Sequence, residues 1–451
     1  MSDEAAKSVT SASSLVRGIG RWDLTAILVN SVIGAGILGL PAIAFGLVGS
    51  YSLGAWALCS IIVGLIALCF AEVGSRFSTT GGPYLYTYAA FGPATGFIVG
   101  WLSWVSRLFS LAAIGNLAVN YAGAFSPALT RGAPRVVVMT ATFAVLVAIL
   151  LTGVRRSALV NNILTACKLL VLFGFVLLGL FFIDPTQIRV PPPPALDDWQ
   201  TVLLLMTFAF IGFESATINA GEMRNPGRDV PFALGAGLAA IALLYLLIQF
   251  VCIATMPALA SSERPVVDAM FIMLGPVGAG VINAGALIMM LGTLFAVLLT
   301  GSRLPFALAE QQQLPAFLCS VDKRYKVPRA AILITAVLAW LLMLYTSFIG
   351  ALTATALTRL IGYVTTCAAL IALRARKRAA VGHANDEPAN IGRASFKVPG
   401  GPVVAVLAIL ACLWLMSGAS TEELSSLLVT TAIGAILGGI YALARRRKRR
   451  P

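Results

Sequence analysis

Apolar runs of membrane-crossing length, separated by short polar or glycine- and proline-rich turns, recur along the whole chain. Counting runs and their breakers predicts twelve helical spans, near 22–48, 53–76, 94–125, 135–152, 158–183, 199–222, 230–256, 267–300, 330–347, 350–373, 403–419 and 424–444. Two of them are interrupted. In the first, VIGAGI (Val32 to Ile37) puts Gly34 and Gly36 on either side of Ala35, deep in an apolar run. In the sixth, FAFIGFESATINAGEMRNPGRDVP (Phe208 to Pro231) places Gly212 and the ionisable Glu214 near the middle of the bilayer. An unpaired carboxylate there costs a few kcal/mol or more, so Glu214 is a functional candidate by default. Glycine-weakened helices at corresponding places in two halves of a chain point to a transporter built from repeats, with its binding site at the breaks.

Composition closes off the soluble classes. With 59% hydrophobic and 11% charged residues in 451, the chain has more apolar surface than a soluble fold can hide. A net charge of +14 raises nucleic acid as a partner, but the basic residues sit in short blocks between apolar runs and serve topology instead. With an inside N-terminus, inside segments hold Lys7, Arg17, Arg21, Arg76, Arg155, Arg156, Arg224, Arg228, Arg303, Lys323, Arg324, Lys326, Arg329, Arg374, Arg376, Lys377, Arg378, Arg393, Lys397 and the run Arg445 to Arg450. Outside loops receive Arg131, Arg135, Arg189 and Arg264. That bias places both termini in the cytoplasm, in the cell (inner or plasma) membrane. The domain scheme follows: a cytoplasmic tail over 1–20, a first unit over 21–183, a second over 199–373, a cytoplasmic loop over 374–401, two further spans over 402–444 and a basic tail over 445–451. The polar N-terminal stretch has no short apolar core with a cleavage site, so no removable signal is expected.

Candidate chemistry is sparse. The seven cysteines (59, 69, 167, 252, 319, 367 and 412) lie in or beside apolar runs without CxxC spacing and read as small buried hydrophobes. The single His383 falls in a charged loop, and Pro191 to Pro194 read as an external spacer. No metal site, cofactor or catalytic group is expected, and nothing resembles a nucleophile elbow or paired membrane carboxylates. Three basic residues remain inside spans: Arg107, Lys168 and Arg359, in spans three, five and ten. At about 1.5 Å per residue, Gly34, Arg107, Lys168 and Glu214 all lie roughly 15–20 Å from the cytoplasmic ends of their spans. They can share one layer. Singly, each has a plainer reading, Arg107 as a snorkelling or carbonyl-capping cation and Gly34 with Gly36 as close-packing residues.

The span-one GAG break, AFIGFES followed by EMRNPGRDVP, and GSRLPFALAEQQQLP after span eight resemble the amino acid–polyamine–organocation transporters, in order over nearly the whole chain. The resemblance implies an all-α polytopic membrane protein of twelve transmembrane helices: a LeuT-like five-plus-five inverted repeat with broken helices one and six, and two spans outside it. It implies an amino acid substrate whose carboxylate meets main-chain N–H groups around Ala35 and Gly36, near Ile33 and Gly34, and whose amino group meets carbonyls of Val32, Phe208 and Ile211. A broken helix supplies both kinds of group.

Span six is most similar to the basic amino acid and polyamine antiporters, but with departures. Phe208 stands where the arginine–agmatine antiporters carry a gate tryptophan, and Val297 where they carry the tryptophan that stacks on the guanidinium. Arg107 replaces a small residue, would repel a cationic side chain, and is placed to pair with Glu214. These changes point to neutral amino acids. Span five, NNILTACKLLVLFGF, resembles the cationic amino acid transporter branch, in which a lysine sits against the span-one break where sodium-coupled relatives hold their ion. Lys168 is therefore the candidate proton carrier, with Glu214 as a coupled partner or alternative; a permanently charged, structural Lys168 is the plainer reading. Burial disfavours an ammonium, which is what would let it release a proton.

Secondary transport of an amino acid by alternating access, with protons as coupling ion, is the leading expectation. Exchange of two related amino acids or amines is the rival that span six favours. A non-transporting sensor would need a cytoplasmic signalling domain, and the longest internal loop is short and polar. The sequence leaves import against export, symport against exchange and oligomeric state, a homodimer included, open.

Overall fold

The computed structural model describes residues 20–77, 82–151, 154–188, 192–218, 225–322, 325, 327–379 and 394–448. The tail 1–19, Glu222, residues 380–393 with His383, and Lys7, Arg17, Arg189, Arg224, Lys323, Arg324, Lys326, Arg393, Arg449 and Arg450 of the topology count lie outside them.

Among the described residues the regular structure is entirely helical. Seven helical stretches among the described residues are long and apolar enough to cross a membrane, and three shorter apolar helices accompany them. The chain is a multi-pass membrane protein. Its helices run in the order α1 (Arg21–Val32), α2 (Gly36–Val48), α3 (Ser52–Gly74), α4 (Pro83–Phe91), α5 (Pro93–Ala122), α6 (Gly132–Leu151), α7 (Val154–Gly179) and α8 (Leu196–Phe210). There follow α9 (Ser215–Ile218), α10 (Pro226–Thr255), α11 (Pro265–Gly301), α12 (Arg303–Glu310), α13 (Arg329–Tyr345), α14 (Phe348–Ala379), α15 (Gly401–Ser417) and α16 (Thr421–Lys448).

Two helices stop early, at the two predicted breaks. The first starts on Gly20, whose N–H donates to Asp23 Oδ2 at 3.0 Å, and ends where Ile33 turns extended (φ −66°, ψ 105°). The eighth starts where Asp198 Oδ2 accepts the Ala195 N–H at 3.3 Å, and ends where Ile211 turns extended (φ −61°, ψ 133°). Both stops therefore have one shape. Chain resumes as α2 after Gly34 and Ala35, and as α9 after a turn in which Gly212 takes φ 119°, open to glycine but strained for other residues.

Packing fixes these stops in place. Tyr121 of α5 donates its hydroxyl to Leu38 O at 2.8 Å, holding the first turn of α2. Gln249 of α10 accepts from Trp56 Nε1 at 3.0 Å and donates to Pro41 O at 3.2 Å and Ser52 Oγ at 3.0 Å, so every polar atom of its buried amide is used. Trp56, Phe210 and Tyr245 stack edge-on around it, with centroids 5.1–6.0 Å apart. Near the other end of α3, the fully buried Glu72 accepts from Arg374 Nε at 2.7 Å and from the Val398 N–H at 2.8 Å, with Arg76 at 3.4 Å. One carboxylate so ties α3, α14 and the segment leading into α15.

The structure redraws two of the sequence-based spans and adds two short helices between spans. The run 267–300 is too long for one straight crossing, and it kinks at Gly275 (φ 68°), just before Pro276. Two further helices, α4 and α12, connect spans; each is too short to register as an apolar window. Span ten runs on as a helix to Ala379, beyond the expected boundary at 373.

Candidate functional site

The two helix stops face each other. A β-carbon on Gly36 would lie 2.9 Å from Cα and Cβ of Ala209 and 3.3 Å from Phe208, so the first turn of α2 rests directly on the last turn of α8. A β-carbon on Gly212 would lie 2.4 Å from Ser31 O, which seats the second break on the last turn of α1. Tyr245, buried on α10, donates its hydroxyl to Ala209 O at 2.9 Å and lies 3.4 Å from Val32 O, one carbonyl from each interrupted helix.

The main-chain groups divide by sign. Amides at the start of α2 point along a helix N-terminus, whose first N–H groups lack intrahelical acceptors and whose dipole favours an anion. Carbonyls at the ends of α1 and α8 form the complementary surface for a cation. Of these, Phe208 O accepts the Ile211 N–H at 3.2 Å, and Val32 O has Tyr245 beside it. Phe208 and Ile211 are both buried.

Lys168 reaches this break from α7. It is 4% exposed, and its Nζ donates to Ile33 O at 2.9 Å and to Asn30 O, the carbonyls that the end of α1 leaves without a helical donor. Packed along α7, α11 reaches the same break. Thr293 Cγ2 would meet a β-carbon on Gly34 at 3.2 Å, while Gly301, two turns on, abuts Arg107 Cβ. Val297 falls midway between them at i+4 spacing, on the stripe that joins the break to Arg107.

Glu214 is 1% exposed and is held from four directions. Its Oε2 accepts the Gly212 N–H at 3.0 Å, with Tyr363 Oη at 3.5 Å; its Oε1 lies 3.3 Å from Arg359 Nη1 and 3.5 Å from Arg107 Nη2. So the structure brings Ile33, Gly34, Ala35, Gly36, Phe208, Ile211 and Gly212 together around the paired breaks. Lys168 is bonded to carbonyls on one side, and Glu214 is ion-paired to Arg107 and Arg359 on the other. Lys168 and Glu214 have separate sets of partners.

Residues 19–439 match the family model described as amino acid permease. The chain belongs to that family, within the amino acid–polyamine–organocation superfamily. Among its relatives, a methylthioribose transporter of Bacillus subtilis is 25% identical, the match covering 97% of this chain and 96% of that protein. A branched-chain amino acid permease of the same organism is 27% identical over 95% of this chain and 94% of its own. A protein named there as a putative arginine/ornithine antiporter is 29% identical over 71% of this chain and 75% of its own. This permease is a transport protein and not an enzyme.

Three residues that close around the breaks and Glu214 have no clear signal in the sequence. Arg359 stood out as a charge inside a span, but nothing local says that it points at Glu214 on another helix. Tyr363, one turn further along α14, gives no signal beyond that four-residue spacing. Tyr245 looks like any aromatic residue in an apolar helix.

Proposed function

We propose that this permease is a secondary active carrier of neutral amino acids, coupled to protons and working by alternating access at the paired breaks. The observation that carries the reading is the closure of Gly36 onto Ala209 and Phe208, with the Lys168 ammonium on Ile33 O. A zwitterion needs an anion cradle and a cation cradle a few ångströms apart, and two helix stops of opposite polarity side by side supply both. In this reading the substrate carboxylate lies at Ala35 and Gly36, with Ile33 and Gly34 lining the approach. Carbonyls of Val32, Phe208 and Ile211 take the amino group, and Gly212 and Val297 complete the wall.

The architecture that goes with this mechanism is twelve spans, five-plus-five in inverted repeat over 21–183 and 199–373. Two spans over 402–444 lie outside the repeat, and both termini are in the cytoplasm of a cell whose plasma membrane holds the carrier. Rocking of one repeat against the other then exposes the breaks to each side in turn.

Charge argues for neutral substrates. Arg107 and Arg359 already take up the one buried carboxylate beside the pocket, so a cationic side chain finds no free acid there and no aromatic face at Val297 to stack on. The names of the two near-full-length relatives also specify uncharged or zwitterionic cargo, methylthioribose and branched-chain amino acids. Exchange is the second reading, supported by the arginine/ornithine antiporter among the relatives.

A competition panel separates these readings. With purified permease and labelled leucine, unlabelled valine, isoleucine, alanine and methylthioribose are expected to compete at least about tenfold better than arginine, ornithine or agmatine, a difference of about 1.4 kcal/mol. Arginine or a polyamine as the tightest competitor would overturn the neutral assignment.

A further inference from the structure

We propose that the buried cluster of Arg107, Glu214 and Arg359 is a binding site for one small monovalent anion, distinct from the main-chain cradle at Gly36. The motive is a charge count that the protein leaves unbalanced. Two guanidinium groups converge on Glu214 Oε1, at 3.3 and 3.5 Å, and their side chains are 6% and 13% exposed. One carboxylate neutralises one of them. The other buried acids of the described residues are engaged elsewhere, Glu72 with Arg374, Arg76 and the Val398 N–H, and Asp229 with the Asn225 N–H at 3.1 Å.

Hydrogen bonding points the same way. Arg107 Nε, Arg359 Nε and Arg359 Nη2 are buried without a hydrogen-bond partner, and so is Glu214 Oε1, which both guanidinium groups face at ion-pair distance. Three unused guanidinium donors outnumber that single open carboxylate oxygen, so the site is rich in donors. The neighbouring hydroxyls do not relieve it: Thr358 donates to Ala354 O and Thr355 O within α14, and Ser106 donates to Thr355 O. Tyr363 faces Glu214 Oε2. Arginine does not discharge by losing its proton, and an unpaired buried cation is costly, so the charge is balanced by a ligand that accepts hydrogen bonds and carries one negative charge. Chloride and a carboxylate share that chemistry. An anion here offsets the second arginine and leaves Glu214 free to break its ion pairs when the permease moves.

The test is binding, so failure of the transport reading would leave it informative. Purified full-length permease is titrated with radiolabelled chloride and, separately, with labelled acetate. The expected result is saturable binding at one site per chain for at least one of the two. Arg359→Gln removes the surplus cation and should weaken it at least tenfold. Glu214→Gln raises the local charge and should tighten it severalfold, a change that damage to the fold would not produce. Monodispersity and melting temperature report on folding of both variants. If unlabelled glutamate or acetate displaces chloride and leucine at equal concentration does not, the site takes carboxylates; if chloride stays bound, it takes inorganic anions. Equal binding by the parent and both variants, meaning an adventitious ion only, would overturn the proposal, as would no saturable binding of either anion.

Discussion

Lys168→Met is expected to leave a folded permease that binds substrate yet no longer concentrates it when a pH gradient is imposed. Methionine keeps the length and apolar fit of the side chain while deleting its proton site. In the parent, the ammonium braces the end of α1 by donating to Ile33 O and Asn30 O. Loss of the proton would leave an amine still able to donate but without the charge that strengthens those bonds, loosening α1 against α7. A gradient of one pH unit supplies about 1.4 kcal/mol per proton, equivalent to about tenfold accumulation for one coupled proton. The variant should show none, while counterflow, which needs no driving ion, persists at a reduced rate. If Lys168→Met still accumulates substrate in response to the gradient, coupling belongs elsewhere. Glu214 is the next candidate, and Glu214→Gln the variant to measure.

Gly36→Val should abolish binding itself. The added β-carbon falls 2.9 Å from Cα and Cβ of Ala209, and backbone cannot yield there without parting the two interrupted helices. A β-branched side chain would also occupy the space in front of the α2 amides, where a carboxylate must lie within hydrogen-bond reach. We expect at least about 100-fold weaker binding, about 2.7 kcal/mol or more. Gly64→Val is the control, because an added β-carbon there meets nothing within 4 Å. It should bind like the parent, and a Gly36→Val protein that also did so would move the substrate away from the breaks.

How far the site could be read in the sequence depended on whether each signal was local. The breaks at Gly34–Gly36 and Ile211–Glu214 were legible because glycines and a carboxylate inside an apolar run are exceptions to a simple pattern. Lys168 was legible for the same reason, and its depth put it level with the first break. What depth could not give was rotation about a helix axis. Arg107 and Arg359 come from α5 and α14, and their convergence on one carboxylate is set by how α14 packs along α5. Tyr245 bridges two carbonyls that exist as acceptors only once both helices have stopped. The short α4 and α12 escaped because a window search for membrane length passes over nine- and eight-residue helices. The kink at Gly275 leaves no trace in hydropathy, because the apolar run continues through it; its one local mark is the Gly275–Pro276 pair.

In the proposed function, the paired breaks carry an amino acid across the membrane under proton control. The most direct measurement uses the permease reconstituted into sealed liposomes, with uptake of labelled neutral amino acids followed with and without an imposed pH gradient. Accumulation above the external concentration is expected only with the gradient, with collapse of that accumulation on adding a proton ionophore and no uptake by Gly36→Val. Uptake that ignores the gradient and the ionophore and persists unchanged in Gly36→Val would contradict the proposed function.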